Sequence, residues 1–300
     1  MGYLYLTINI FIATVCTVLG KISSNISKGK IFGVLFFTLI VAVFEIIIFS
    51  ALNGFRLQFT WISFAFAAVY GFMGCLGTVV SLKAYTMGHL ATYVIISTVG
   101  GIVIPFLFGF IVLQEAAGIC KWVGCAMMLV GVVIAQKREK SDNKEEQATT
   151  AAFLLLCFLG AFISGVSQCI NKLQSVSEGV VDGNSYVVYI QTCIALCCII
   201  AGVLMPKRVK LMFKETPQMH GAKIICVSGI YGLLGGISIV ISLFVNKLLP
   251  AVVVFPISSG MSIVMSAIVG RVFFQEKITK VKVISTAIIV TAMVVLVLPF

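Results

Sequence analysis

Chemistry has few carriers in this 300-residue chain, where 60% of the residues are hydrophobic and only 10% are charged. Glu45 is the first to consider. It stands in Phe-Phe-Thr-Leu-Ile-Val-Ala-Val-Phe-Glu-Ile-Ile-Ile-Phe-Ser, the only one of ten acids to fall deep inside an apolar run. A charge near the centre of a bilayer costs about 2.5–3.5 kcal/mol even on the lenient insertion scale, so this carboxyl must be neutralised, paired or in contact with water. Two readings follow. Glu45 takes up and releases a proton in a coupled cycle, or it is a protonated acid that bonds a neighbouring helix and serves packing alone.

The remaining polar side chains of the apolar runs fall into stripes at helical spacing. Thr14, Thr17 and Lys21 share one face of the first run, and Ser164, Gln168 and Asn171 share one face of the sixth, which ends in Lys172. Thr78, Ser81 and Tyr85 form a stripe in the third run and Ser238, Ser242 and Asn246 in the eighth. The fourth adds Tyr93, Ser97 and Thr98, and the ninth adds Ser258 and Ser259. Together these side chains could line a hydrated interior and supply neutral hydrogen bonds to a polar solute, with Lys21 or Lys172 meeting an acidic group on it. Plainer readings compete: threonines that bond back to their own helix, and lysines that snorkel to the interface. Gly100, Gly101, Pro256 and Gly260 weaken the helical ladder at mid-run and are candidates for a bend or gate, against a first reading as close-packing residues. Glu115 and Glu276 each stand just ahead of a helix and read as structural caps, accepting from its free N–H groups.

Other chemistries lack their residues. No Walker loop, His-Glu-x-x-His or serine-nucleophile setting occurs, so neither an enzyme nor a cofactor is expected. Two histidines, His89 and His220, cannot build a metal site alone. The ten cysteines show no Cys-x-x-Cys and read as small apolar packing residues. The net charge of +11 invites a nucleic-acid partner, but the charges cluster at the ends of the apolar runs, which rejects it.

A mean hydropathy of +1.15 lies outside the soluble range and predicts a polytopic membrane protein. A span needs roughly 20 apolar residues, because a helix rises about 1.5 Å per residue through a hydrocarbon core about 30 Å thick. Ten runs qualify, at about 3–20, 31–52, 61–82, 89–113, 121–136, 151–171, 185–204, 223–245, 251–274 and 281–299. Barrel strands would alternate in polarity over shorter segments, so the fold class expected is all-α integral membrane, with ten transmembrane helices. The first run lacks the basic region of a signal peptide and is expected to stay in the mature protein.

The chain is also duplicated. Shifted by 161 positions, Tyr70, Gly71, Gly74, Ser81, Ser97, Gly109, Gln114, Glu115 and Lys121 fall on Tyr231, Gly232, Gly235, Ser242, Ser258, Gly270, Gln275, Glu276 and Lys282. Shifted by 151, Phe11, Ile12, Val15, Lys21 and Ser24 fall on Phe162, Ile163, Val166, Lys172 and Ser175. This predicts one five-helix repeat over 1–140, a hydrophilic linker at 141–150 and a second repeat over 151–300. The loops after odd-numbered helices, with the adjoining helix ends, carry 17 of the 21 Lys and Arg residues; Arg56, Lys121, Lys172 and Lys247 are on the other side. That bias places both termini outside the cytoplasm. Five helices per repeat is an odd number, so the second repeat enters the membrane inverted, the usual scaffold of alternating access.

On these marks the chain resembles the EamA-like branch of the drug/metabolite transporter superfamily: ten helices in two repeats, Lys21 and Lys172 ending the first helix of each, and Glu115 and Glu276 following the fourth. The likeness spans nearly all of the chain and says nothing about substrate. It implies a basket of helices in which the first, third, fourth, sixth, eighth and ninth line a central cavity, and an activity of exporting amino acids, nucleobases, vitamins, nucleotide-linked sugars or drugs. Several relatives are placed with cytoplasmic termini, the reverse of the orientation expected here. The leading expectation is a secondary active exporter of a small polar metabolite such as an amino acid, with protons as possible co-substrate, working as a monomer or weak dimer in the plasma membrane. The alternatives are a scramblase of lipid-linked intermediates and a non-transport role, structural or receptor.

Overall fold

The computed structural model of the chain describes residues 2–26, 31–87, 90–116, 118–135, 151–204, 221–274 and 280–298. Among these the backbone forms ten α-helices and no strand: α1 (Gly2–Ile26), α2 (Ile31–Leu52), α3 (Trp61–Met87), α4 (Leu90–Ile111), α5 (Ile119–Ala135), α6 (Ala151–Val176), α7 (Gly183–Leu204), α8 (Gly221–Leu248), α9 (Ala251–Phe274) and α10 (Lys280–Val297). Every apolar run of the sequence is one of these helices. Runs such as Ala-Val-Val-Val-Phe at the start of α9 have weak intrinsic helix propensity. They are helical all the same, because tertiary context routinely overrides intrinsic propensity. The linker at 141–150 lies outside the described residues.

Local chemistry sets the helix ends. Gly54 and Phe55 turn left-handed after α2, at φ 59° and 57°, and Gly179 does so after α6 at φ 70°. Asp182 begins α7 by accepting from the N–H of Ser185 at 3.1 Å. Pro250, which has no N–H to lose, separates α8 from α9. After α4 the chain turns through Gln114, a non-glycine residue at φ 52°, and the N–H of Glu115 returns to the carbonyl of Gly109 at 3.0 Å.

Among the described residues, five helices carry stretches long and apolar enough to cross a membrane: Leu35–Leu52, Trp61–Ser81, Ala151–Val176, Gly183–Val203 and Ile225–Leu248. Shorter apolar stretches of 10–17 residues occupy Gly2–Cys16, Ile96–Ile111, Ile119–Ile134, Ala251–Met265 and Val283–Val297. Large apolar side chains such as Trp61, Phe11, Ile119, Phe158 and Val203 stand exposed. Such a surface is compatible with a multi-pass membrane protein and would be an aggregation liability in water.

The chain forms two compact units, and neither is one half of the sequence. The first takes Met1–Leu6, Gly77–Lys172 and Val245–Phe300; the second takes Thr7–Leu76 and Leu173–Phe244. In the first unit α5 packs along α10 and α4 along α9. The α5–α10 contact is close because Gly124 and Gly131 admit Leu296 and Ile289, leaving 2.7 Å between each side chain and the place a Cβ would take. In the second unit α2 packs on α7, with Phe49, Val187 and Val188 buried together and Ala67, Tyr186, Ile190 and Leu243 forming a neighbouring core. Each of these three pairings joins a helix to the one holding the same place in the other half of the sequence.

Candidate functional site

The densest polar arrangement of the first unit is a clasp at helix ends. Lys172, near the end of α6 and 3% exposed, donates to the carbonyls of Asn246 and Leu249 at 2.7 Å each, and its ammonium lies 3.4 Å from Oε1 of Glu115. An ammonium has three donors, and three acceptors surround this one. Glu115 in turn accepts from two backbone N–H groups of the first turn of α9, Ala251 at 2.8 Å and Val252 at 3.0 Å. A helix start exposes such N–H groups together with the positive end of its dipole, and Pro250 offers no side-chain acceptor of its own. Glu115 therefore caps α9, although α5 is the helix that follows it in the chain. Gly109 makes the room: a Cβ there would fall 2.8 Å from Oε2 of Glu115 and 2.9 Å from Ala251.

One residue of the clasp is unfinished. Asn246 contributes its main-chain carbonyl, but its carboxamide, 1% exposed, pairs neither its oxygen nor its nitrogen among the described residues. An unpaired buried amide costs about 1–3 kcal/mol, and a bound solute or water would relieve it.

Further along the first unit α4 and α6 meet on a seam that gathers several candidates. Gln168 donates to the carbonyl of Gly101 at 2.9 Å, and Ser97 lies 3.5 Å from the carbonyl of Gly160, to which it donates. A Cβ on Gly101 would fall 2.9 Å from Oγ of Ser164, one on Gly160 would fall 2.6 Å from the hydroxyl of Tyr93, and one on Gly100 would fall 2.5 Å from the backbone of Ala161. Tyr93, Ser97, Gly100, Gly101, Ser164 and Gln168 thus converge. Asn171, half-buried, precedes Lys172 on the same helix. On α9, Pro256 lies inside the helix, Ser258 and Ser259 are half-buried, and Gly260 faces Met128 of α5, whose sulfur a Cβ would meet.

The second unit holds Glu45. It is 2% exposed, and Gln191 of α7 donates to its Oε2 at 2.7 Å. Two glycines of α8 press on the same side chain: a Cβ on Gly235 would fall 3.2 Å from Oε1, and one on Gly232 3.3 Å from Cγ. Among the described residues no cation pairs with it. Elsewhere in this unit Ser238 donates to Oδ1 of Asn9 at 2.7 Å, Thr14 bonds back to the carbonyl of Ile10 at 2.7 Å, and Ser242 is half-buried. Ser81, in the first unit, bonds to the carbonyl of Thr78 on its own helix at 2.9 Å.

Glu276 and the side chains of Thr17, Lys21 and Tyr85 lie outside the described residues. Two polar partners escaped the stripe reading, Gln191 and Asn9; neither has a Ser, Thr, Asn, Gln or charged residue three or four positions away, so neither belongs to a stripe. A third feature, at the start of α7, is a network in which Ser185 donates to Asp182 and accepts from Asn53 and the N–H of Gln58, fastening the loop after α2.

No family model matches the chain, and no curated protein matches it in sequence. A solved structure described only as "Crystal structure of protein" is similar, with a TM-score of 0.72 at 13% identity over 97% of this chain and 96% of that one. At that identity the likeness shows the fold alone.

Proposed function

We propose that the chain is a secondary active transporter that exports a small polar metabolite, such as an amino acid, by alternating access through a central cavity. In this reading all ten helices span the plasma membrane with both termini outside, the two five-helix repeats are inverted, and the resemblance to EamA-like transporters reflects kinship. One observation carries it: α2 pairs with α7, α4 with α9 and α5 with α10, the pairing of counterparts that a pseudo-twofold duplicate would make. The α4–α6 seam and the unpaired amide of Asn246 supply neutral hydrogen-bonding groups of the kind a zwitterionic solute needs.

Purified protein in proteoliposomes tests this directly. Thermal-shift screening against a metabolite library identifies a solute, since a ligand of the folded state alone stabilises it by RT ln(1 + [L]/Kd). Flux of that solute is then measured with and without an imposed pH gradient. Glu45→Gln is expected to abolish pH-driven accumulation while sparing solute exchange. Full pH-driven activity in that variant removes Glu45 from the mechanism, and the absence of any solute flux from the wild-type protein overturns the transporter reading itself.

A further inference from the structure

We infer that Glu115 and Lys172 form a latch that closes one end of the first unit, and that this latch must open during the conformational cycle. The inference rests on the transporter reading, in which helix ends separate on one side of the membrane and then on the other.

Three features favour a latch over a fixed staple. All of its partners sit at helix ends or junctions: Glu115 after α4, Lys172 in the last turns of α6, Asn246 and Leu249 where α8 stops, Ala251 and Val252 where α9 starts. Opening it unwinds no helix, yet it ties four helices together while closed. The second feature is energetic. A buried ion pair roughly breaks even against hydration of its two members, whereas stranding one member is costly. Glu115 keeps 15% of its side chain exposed and Lys172 lies within a turn or so of the end of α6 at Val176, so both charges can rehydrate together when the ends part. Such a contact is strong while shut and inexpensive to release as a pair. The third is the turn that presents Glu115. Gln114 holds φ at 52° in the left-handed turn that ends α4, closed by the Glu115 N–H on the Gly109 carbonyl, so the carboxylate is presented from a turn outside any helix.

Cys169 is a native reporter. It lies one turn before Lys172 on α6 and is buried, while Cys157 on α6 and Cys125 on α5 are buried away from the clasp contacts. The full-length protein in lipid nanodiscs is treated with N-ethylmaleimide, and labelling rates are read cysteine by cysteine by peptide mass spectrometry. Glu115→Gln, which removes the charge and keeps the shape, is expected to raise the rate at Cys169 about tenfold, the shift that the loss of about 1.4 kcal/mol of closing free energy would produce. Cys125 and Cys157 are expected to hold their wild-type rates. Glu115→Asp keeps the charge but shortens the reach, so it gives an intermediate rate and serves where the glutamine variant does not fold. An unchanged rate at Cys169 in both variants overturns the latch, and so does an equal rise at all three cysteines, which reports general loosening. Labelling needs no solute. A latch that responds in a protein without flux leaves the switch standing and sinks the carrier, whereas flux with an unresponsive Cys169 does the opposite.

Discussion

The two compact units each bury an ionisable side chain, and they do so in different ways. In the first, Lys172 is at a helix end, with two carbonyls and a carboxylate around its ammonium. In the second, Glu45 is at mid-helix with one amide donor at 2.7 Å and a glycine-lined face of α8 against its other oxygen. The first arrangement balances charge with charge and spends every donor, so Lys172 has none left for a solute in this conformation. The second leaves a carboxyl against neutral partners, where carrying a proton changes its interactions most. Burial alone therefore does not mark a functional group; what matters is the capacity its partners leave unused.

The comparison is broken most directly at Glu115. Removing one member of a buried pair typically costs about 3–5 kcal/mol because the other charge is stranded. Glu115→Ala should lose about that much in thermal unfolding of the detergent-purified protein, and also uncaps α9. Lys172→Met should lose less, since Glu115 keeps two backbone donors and partial contact with water. If Glu115→Ala costs under about 1 kcal/mol, the value of an exposed pair, the charge of Lys172 is solvated and the contrast between the units disappears.

Asn246 sharpens the same contrast by a smaller and opposite effect. Replacing an unsatisfied buried polar group by an apolar one of similar shape is neutral or stabilising. Asn246→Leu should therefore gain about 1–2 kcal/mol, and it leaves the main-chain carbonyl that Lys172 uses. Solute flux should fall if the unused amide belongs to the binding site. A loss of stability would mean instead that the amide is satisfied by an ordered water and is structural.

The helices were legible because their apolar runs are long and bounded by polar residues. The run Ile31–Leu52 begins and ends in sequence where α2 begins and ends in structure. The stripes were read from helical spacing along single runs, and the meeting of Ser97 and Gly101 on α4 with Ser164 and Gln168 on α6 comes from packing. Partnerships at a distance were not. The local capping rule assigned Glu115 to α5, the next helix, because nothing in the sequence says that Pro250 leaves α9 in need of a cap or that Gly109 clears a path to it. The duplication carried a hint, since Gly109 and Glu115 both recur as Gly270 and Glu276, but a repeated pair of residues does not name the third they serve. Gln191 escaped notice because no Ser, Thr, Asn or Gln stands three or four positions from it in α7, and it became visible only when α2 packed against it. The compact units, which mix helices of both halves, were likewise out of reach of a reading that runs along the chain.

The smallest effect tests the more demanding half of the comparison. Glu45→Gln keeps the length of the side chain and an oxygen that can accept from Gln191, so the hydrogen bond at 2.7 Å survives the substitution. What it loses is the ability to exchange a proton. If Glu45 serves packing alone, nothing of consequence has been removed: stability should stay within about 1 kcal/mol of wild type, the net worth of one ordinary hydrogen bond, and pH-driven accumulation should persist. If Glu45 carries the coupled proton, stability should be just as unaffected while accumulation under a pH gradient fails. The thermal measurement thus comes out the same on both readings and serves as the control that makes the flux measurement interpretable. A fall of several kcal/mol would contradict both, because it would require a charged carboxylate held by a cation, and among the described residues the partner of Glu45 is an amide.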